Sequence, residues 1–150
     1  MLMDTRRRGR RPRDAGRPLA ESSRLAERTF RQGDVPAVRR FAEAFAARVG
    51  LRPARVADFV LAASEAAACA TAWGPCITRV RLWMTGRRAF CEVRGDAMIL
   101  RRATRDAAWP GTGEAAALRR RVLRQVCDYV SVASGPDGTW VLLSMRVDGG

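Results

Sequence analysis

The chain has 150 residues, one domain's worth, and carries 28 basic residues against 15 acidic ones, a formal net charge of +13. Every basic residue is Arg, and the absence of Lys, His and Asn excludes Ser-His-Asp and Cys-His catalysis, imidazole metal ligands, a P-loop and a Schiff-base lysine. Cys69, Cys76, Cys91 and Cys127 are irregularly spaced with no CxxC pair, so neither a zinc site nor a secreted disulfide framework is encoded.

Buried thiols in a reducing cytoplasm are therefore expected. No apolar run approaches the roughly 20 residues that span a bilayer, and the N-terminus lacks the apolar core of a signal peptide. A soluble cytoplasmic protein with no membrane partner follows as the expectation. Residues 1–23 form an Arg-rich tail. Through residue 24 there are eight Arg against Asp4, Asp14 and Glu21, and within this stretch RRRGRRPRDAGRP, residues 6–18, combines the charge block with Gly and Pro and almost no apolar side chain to offset ordering entropy. Such a segment is expected to be disordered, with nonspecific nucleic-acid contact as its functional alternative.

The folded part, 24–148, opens with a predicted strand over 25–31. Asp34 then reads as an N-cap and Pro36 as a first-turn residue of a helix that places Val38, Phe41, Phe45 and Val49 on one stripe and stops at Gly50. Pro53 begins a second helix, in which Val56, Phe59, Val60, Ala63, Ala67 and Ala70 recur at three-and-four spacing; Gly74 and Pro75 end it.

TRVRLWM and AFCEVR alternate apolar and polar residues about the turn TGRR, which predicts a hairpin with one buried face. Residues 95–114 lack periodicity and read as a long loop. A third helix, over about 115–128, is expected to turn Leu118, Val122, Val126 and Tyr129 inward. YVSVAS and TWVLLSMRV, joined by GPDG, predict a last hairpin. Taken in order, these elements make an α+β two-layer sandwich, helices on one face of a mostly antiparallel sheet.

Three runs, VADFVLAASEAAACATAWG, RLWMTGRRAFCEVRG and RQVCDYVSVASGPDGTWVLLSM, together resemble the histidine-kinase-like (Bergerat-type) ATPase domain of bacterial anti-sigma-factor serine/threonine kinases. The resemblance covers roughly residues 30–146. It implies the same sandwich, ATP and magnesium as cofactors, and a sigma factor or an anti-sigma antagonist as partner, with a homodimer as a further expectation.

In that family the second helix carries an acidic general base and, four residues on, an Asn that holds magnesium. Glu65 falls on the base position, Cys69 on the Asn position, and Trp73 where relatives often have His. A thiol is a soft ligand and magnesium prefers oxygen, so Cys69 does not replace Asn. The alternative is that Glu65 is a partly exposed helix residue paired with a nearby Arg.

The family's Asp-x-Gly, whose Asp takes the adenine amino group, aligns with Gly95 and Ala97 in VRGDAMIL. Using Asp96 instead would turn its side chain to the other face unless a bulge compensated. The Gly-x-Gly that cradles phosphate aligns with Ala117 and Arg119, while a glycine pair, Gly111 and Gly113, lies six residues upstream.

The expected function is therefore that of an anti-sigma-like regulator acting by protein binding, with ATP binding impaired or lost. An ATP-binding serine/threonine kinase is the alternative, because Arg101, Arg102, Arg105, Arg119, Arg120, Arg121 and Arg124 could hold phosphates through guanidinium forks. Successive Arg119, Arg120 and Arg121 cannot all point the same way, so a solvated helix face is the plain reading of that cluster. A nonspecific nucleic-acid-binding protein is the third possibility. Trp83 and Trp140 are expected in sheet packing and Trp109 in a contact loop.

Overall fold

The structure is a computed structural model and describes residues 25–31, 34–71, 77–96, 114–135 and 138–147. In chain order the elements are β1 (Ala26–Arg31), α1 (Val35–Val49), α2 (Pro53–Thr71), β2 (Ile77–Thr85), β3 (Arg88–Asp96), α3 (Glu114–Val126), β4 (Tyr129–Gly135) and β5 (Gly138–Arg146). The strands form one antiparallel sheet in the order β1-β2-β3-β5-β4. The three helices pack on one face of it, giving the α+β sandwich that the sequence predicts.

Local chemistry sets the limits of α1. The Asp34 side chain accepts a hydrogen bond from the Ala37 backbone N–H at 3.3 Å, Pro36 occupies the first turn, and Gly50 closes the helix at φ 78°. Gly50 tolerates this left-handed backbone because it has no Cβ. Val38, Phe41 and Phe45 point inward as expected, and Val49 packs against the core from a half-buried position.

α2 lies between α1 and α3 and presents Phe59, Ala62, Ala63, Ala66 and Ala70 to the sheet. Phe59 meets Phe45 with ring centroids 5.9 Å apart. From the sheet, Val80, Leu82, Cys91, Val93, Leu143 and Met145 complete this core. Alternation along each strand sends these residues to the helical side.

Two expectations change. Of the predicted inward stripe of α3, Val126 packs against the core and Val122 is half-buried, but fully buried Leu123 lies on the inner line while Leu118 is 58% exposed and Tyr129 is exposed as well. The sequence offers two overlapping apolar stripes, and the one through Leu123, Val126 and Cys127 continues into the core. The second change concerns the face of the sheet turned away from the helices, which is not simply polar. Trp83 stacks on its cross-strand partner Phe90 with centroids 5.1 Å apart and planes within 3°, and the Arg81 guanidinium sits 5.9 Å from the Trp83 ring.

Beside this stack Arg81 faces Glu92, 3.7 Å away, and Glu92 is only 1% exposed. Leu142 and Ser144 are buried on the same face. Trp140, half-buried, lies under Arg94 at 6.0 Å. Both hairpins form, and Gly135 pairs with Gly138 at the end of the second. Among the described residues no helix is long and apolar enough to cross a membrane.

A contrast between two substitutions reads the helix orientations. Phe59→Ala opens the core and is expected to lower unfolding free energy by about 3–5 kcal/mol, whereas Leu118→Ala should change it by no more than about 0.5 kcal/mol. Urea midpoints of the two variants measure this, and comparable losses would contradict the orientation of α3.

Candidate functional site

The second helix places Glu65 and Cys69 one turn apart. α3 packs alongside and sets Arg119 against the acid, with Arg119 Nε 3.7 Å from Glu65 Oε2 and the two side chains 33% and 25% exposed. At that separation the contact is an ion pair rather than a hydrogen bond, and its exposure limits it to under about 1 kcal/mol. Its consequence is positional. The carboxylate that the resemblance assigns to proton abstraction meets a cation from the neighbouring helix.

Cys69 lies beside this pair and is buried. Burial pushes its thiol up to about 12, with Arg119 and Arg120 pulling it down and Glu65 pushing it up. The thiol stays protonated at neutral pH and packs as a small apolar group. Neither its softness nor its protonation state suits magnesium. Among the described residues no group of three or more His, Cys, Asp or Glu side chains is placed to hold a metal ion.

Gly95 sits where β3 passes under the end of α2. A Cβ at this position would lie 2.5 Å from the Ala70 carbonyl oxygen and 3.4 Å from the Ala70 Cβ. Strand backbone and helix backbone therefore meet directly. Where the resemblance calls for an Asp side chain reaching toward adenine, this packing leaves no volume for any side chain. The β2–β3 pairing runs unbroken from Thr85–Arg88 to Ile77–Asp96, so no bulge shifts the register there.

The aligned phosphate positions also change character. α3 begins at Glu114, so Arg119 is already in the second turn and its amide is within the helix rather than among the free N-terminal donors. Glu114 in the first turn complements the helix dipole and opposes a bound anion there. Arg119 and Arg120 are half-buried while Arg121 and Arg124 are exposed, so the arginine run divides between two sides of the helix. Trp73, Ala97, Gly111 and Gly113 lie outside the described residues, as do Trp109, Arg101, Arg102 and Arg105.

At the opposite end of α2, Arg55 and Asp58 approach each other at 3.7 Å. Nearby, Cys127 is pushed up to about 12, chiefly by burial, with Asp128 and Asp58 raising it further and Arg55 lowering it. Asp128 is engaged structurally, its Oδ2 accepting the Arg146 backbone N–H at 2.6 Å. This second cluster joins α2, the α3–β4 connection and β5 without assembling a nucleophile and a base.

The sequence places Glu65 and Cys69 in one motif of the second helix, and Gly95 and Arg119 in two others. The structure pairs Glu65 with Arg119 beside Cys69, and places Gly95 one residue along α2 from Cys69, against Ala70. What results is an α+β sandwich with a cation-satisfied helix carboxylate and a closed helix–strand junction. No protein-family model matches the chain, and no curated protein matches it significantly.

Two measurements follow from this geometry. Gly95→Ala forces Cβ against backbone, and we expect a loss of about 1–3 kcal/mol in a urea titration; an unchanged midpoint would contradict the close approach. The thiols fix a pH dependence. Cys69 and Cys127 hold their protons to about 12 in the fold against 9.0 for an ordinary thiol, so the stability they contribute is complete below 9.0 and is lost as pH rises toward 12. The urea midpoint should therefore fall across that interval, and serine at both positions should lessen the decline, the rest coming from the buried Cys91 thiol, which burial also pushes up.

Proposed function

We propose that the chain is an anti-sigma-like regulatory protein built on a histidine-kinase-like ATPase sandwich, acting by binding a protein partner after losing magnesium-ATP chemistry. Its partner in this reading is a sigma factor or an anti-sigma antagonist, and its setting the cytoplasm. The observation that carries the reading is the Gly95–Ala70 contact, which fills with backbone the place where the resemblance puts an adenine-binding side chain.

The residues present do not fit the implied cofactor. Magnesium needs an oxygen ligand, and the aligned residue is a buried, protonated thiol. A general base needs a free approach to the group it deprotonates, and Glu65 faces Arg119. Phosphate favours bare N-terminal amides, and α3 starts with an acid. Three separate requirements fail for three separate physical reasons.

Isothermal titration with ATP and ADP, each with and without magnesium, tests the proposal. The expected result is no heat at millimolar nucleotide. Magnesium-dependent binding in the micromolar range would contradict it and favour the kinase reading, with phosphates held by the exposed arginines. A titration with single-stranded and duplex DNA separates the remaining possibility: binding that collapses with salt and ignores sequence marks nonspecific electrostatic attraction.

A further inference from the structure

An antiparallel sheet with helices on one side commonly turns its other side to water. Here that outer side carries a buried band. Trp83, Glu92 and Ser144 are each 1% exposed and Leu142 2%, although the three helices pack on the opposite face. Sheet neighbours alone do not bury a leucine this deeply when two of them are serines, Ser131 beside it on β4 and Ser144 two residues along β5. Among the described residues no element crosses this side of the sheet.

The band runs across the strands rather than along them. Register places Trp83, Phe90, Ser144 and Tyr129 in one row and Arg81, Glu92, Leu142 and Ser131 in the next. Beyond the first row Arg88 and Arg146 are exposed; beyond the second, Arg79 is exposed while Arg94 and Trp140 are half-buried. The two rows stand about 7 Å apart, a strip that one extended chain laid across them covers.

β1 begins at the end of this strip. Continuing its pairing with β2 by one residue sets Leu25 opposite Trp83, so the chain that precedes Ala26 meets the sheet at the first row. Six residues earlier comes the apolar pair Leu19 and Ala20, and between them and Leu25 Glu21 balances Arg24. An extended chain from Leu25 back to Leu19 spans about 20 Å, and the four strand spacings from β1 to β4 make about 19 Å. Residues 97–113 also hold apolar side chains, but they follow Asp96, which pairs with Ile77 at the exposed end of the outer face.

We propose that residues 19–24 lie extended across the outer face of the sheet, from β2 toward β4, with Leu19 over Leu142. The segment covers the Trp83–Phe90 stack and keeps water from the Arg81–Glu92 pair, whose acid is buried. The Arg-rich block, residues 6–18, stays outside this contact. The inference is independent of whether the protein is a regulator that has lost nucleotide chemistry.

Hydroxyl-radical footprinting of the full chain, read by mass spectrometry, tests it. Trp83 and Leu142 should be protected in the unaltered protein and at least about tenfold more reactive in Leu19→Asp/Ala20→Asp. Phe59 and Met145, buried on the helical side, should stay protected, which separates release of the segment from unfolding. Ile99→Asp/Leu100→Asp should leave Trp83 and Leu142 protected. A benzophenone amino acid in place of Leu19 asks the same question without removing an apolar side chain, and its cross-links should fall on β3 and β5.

Trp83 and Leu142 reactive in the unaltered chain, or still protected in Leu19→Asp/Ala20→Asp, would overturn the proposal. Exposure by Ile99→Asp/Leu100→Asp instead would overturn it in favour of residues 97–113, and exposure on dilution in favour of a second copy. Cross-links confined to the helices would overturn it as well.

Discussion

The backbone contact between Gly95 and Ala70 sets the depth at which α2 lies on the sheet. Helix and strand approach this closely because neither contributes a large side chain at the crossing. Gly95 has none, and α2 offers the sheet a run of alanines, Ala62, Ala63, Ala66 and Ala70, with Phe59 filling the wider space toward its start. Small residues trade side-chain burial for backbone proximity. Any enlargement at this crossing has to lift the helix, and with it the residues that α2 presents to α3.

Charge follows the same geometry. With α2 seated low, Glu65 comes within ion-pair distance of Arg119, and Cys69 is buried beneath the pair. The electrostatics of the site are thus internal: the acid meets a cation and the thiol keeps its proton. On the far face of the sheet the same economy recurs, where buried Glu92 is held by Arg81 and the Arg81 guanidinium covers the Trp83–Phe90 stack. A strongly basic composition is accommodated by giving the few buried or half-buried acids specific arginine partners, while the surplus arginines remain at the surface.

The sequence disclosed most clearly those features that depend on near neighbours. Asp34, Pro36 and Gly50 mark α1 because a cap, a first-turn proline and a left-handed stop are local events. Alternation marks both hairpins for the same reason. α3 was harder, since two apolar stripes overlap on one short helix and only packing on the sheet chooses Leu123 over Leu118. The ion pair between Glu65 and Arg119 joins residues 54 positions apart, and their shared contact depends on how two helices cross. Gly95 was legible as a departure from an acidic position, yet its reason, a carbonyl oxygen of another element, is a tertiary fact.

Amide hydrogen exchange across residues 65–70 of α2 and 114–126 of α3, with and without millimolar magnesium-ADP, tests most directly that this junction is closed by the protein's own residues. Protection in both segments should be the same in the two conditions, because the Gly95–Ala70 contact and the Glu65–Arg119 pair already occupy the junction. Nucleotide-dependent protection confined to these segments would contradict the account and show that the junction opens to admit a ligand.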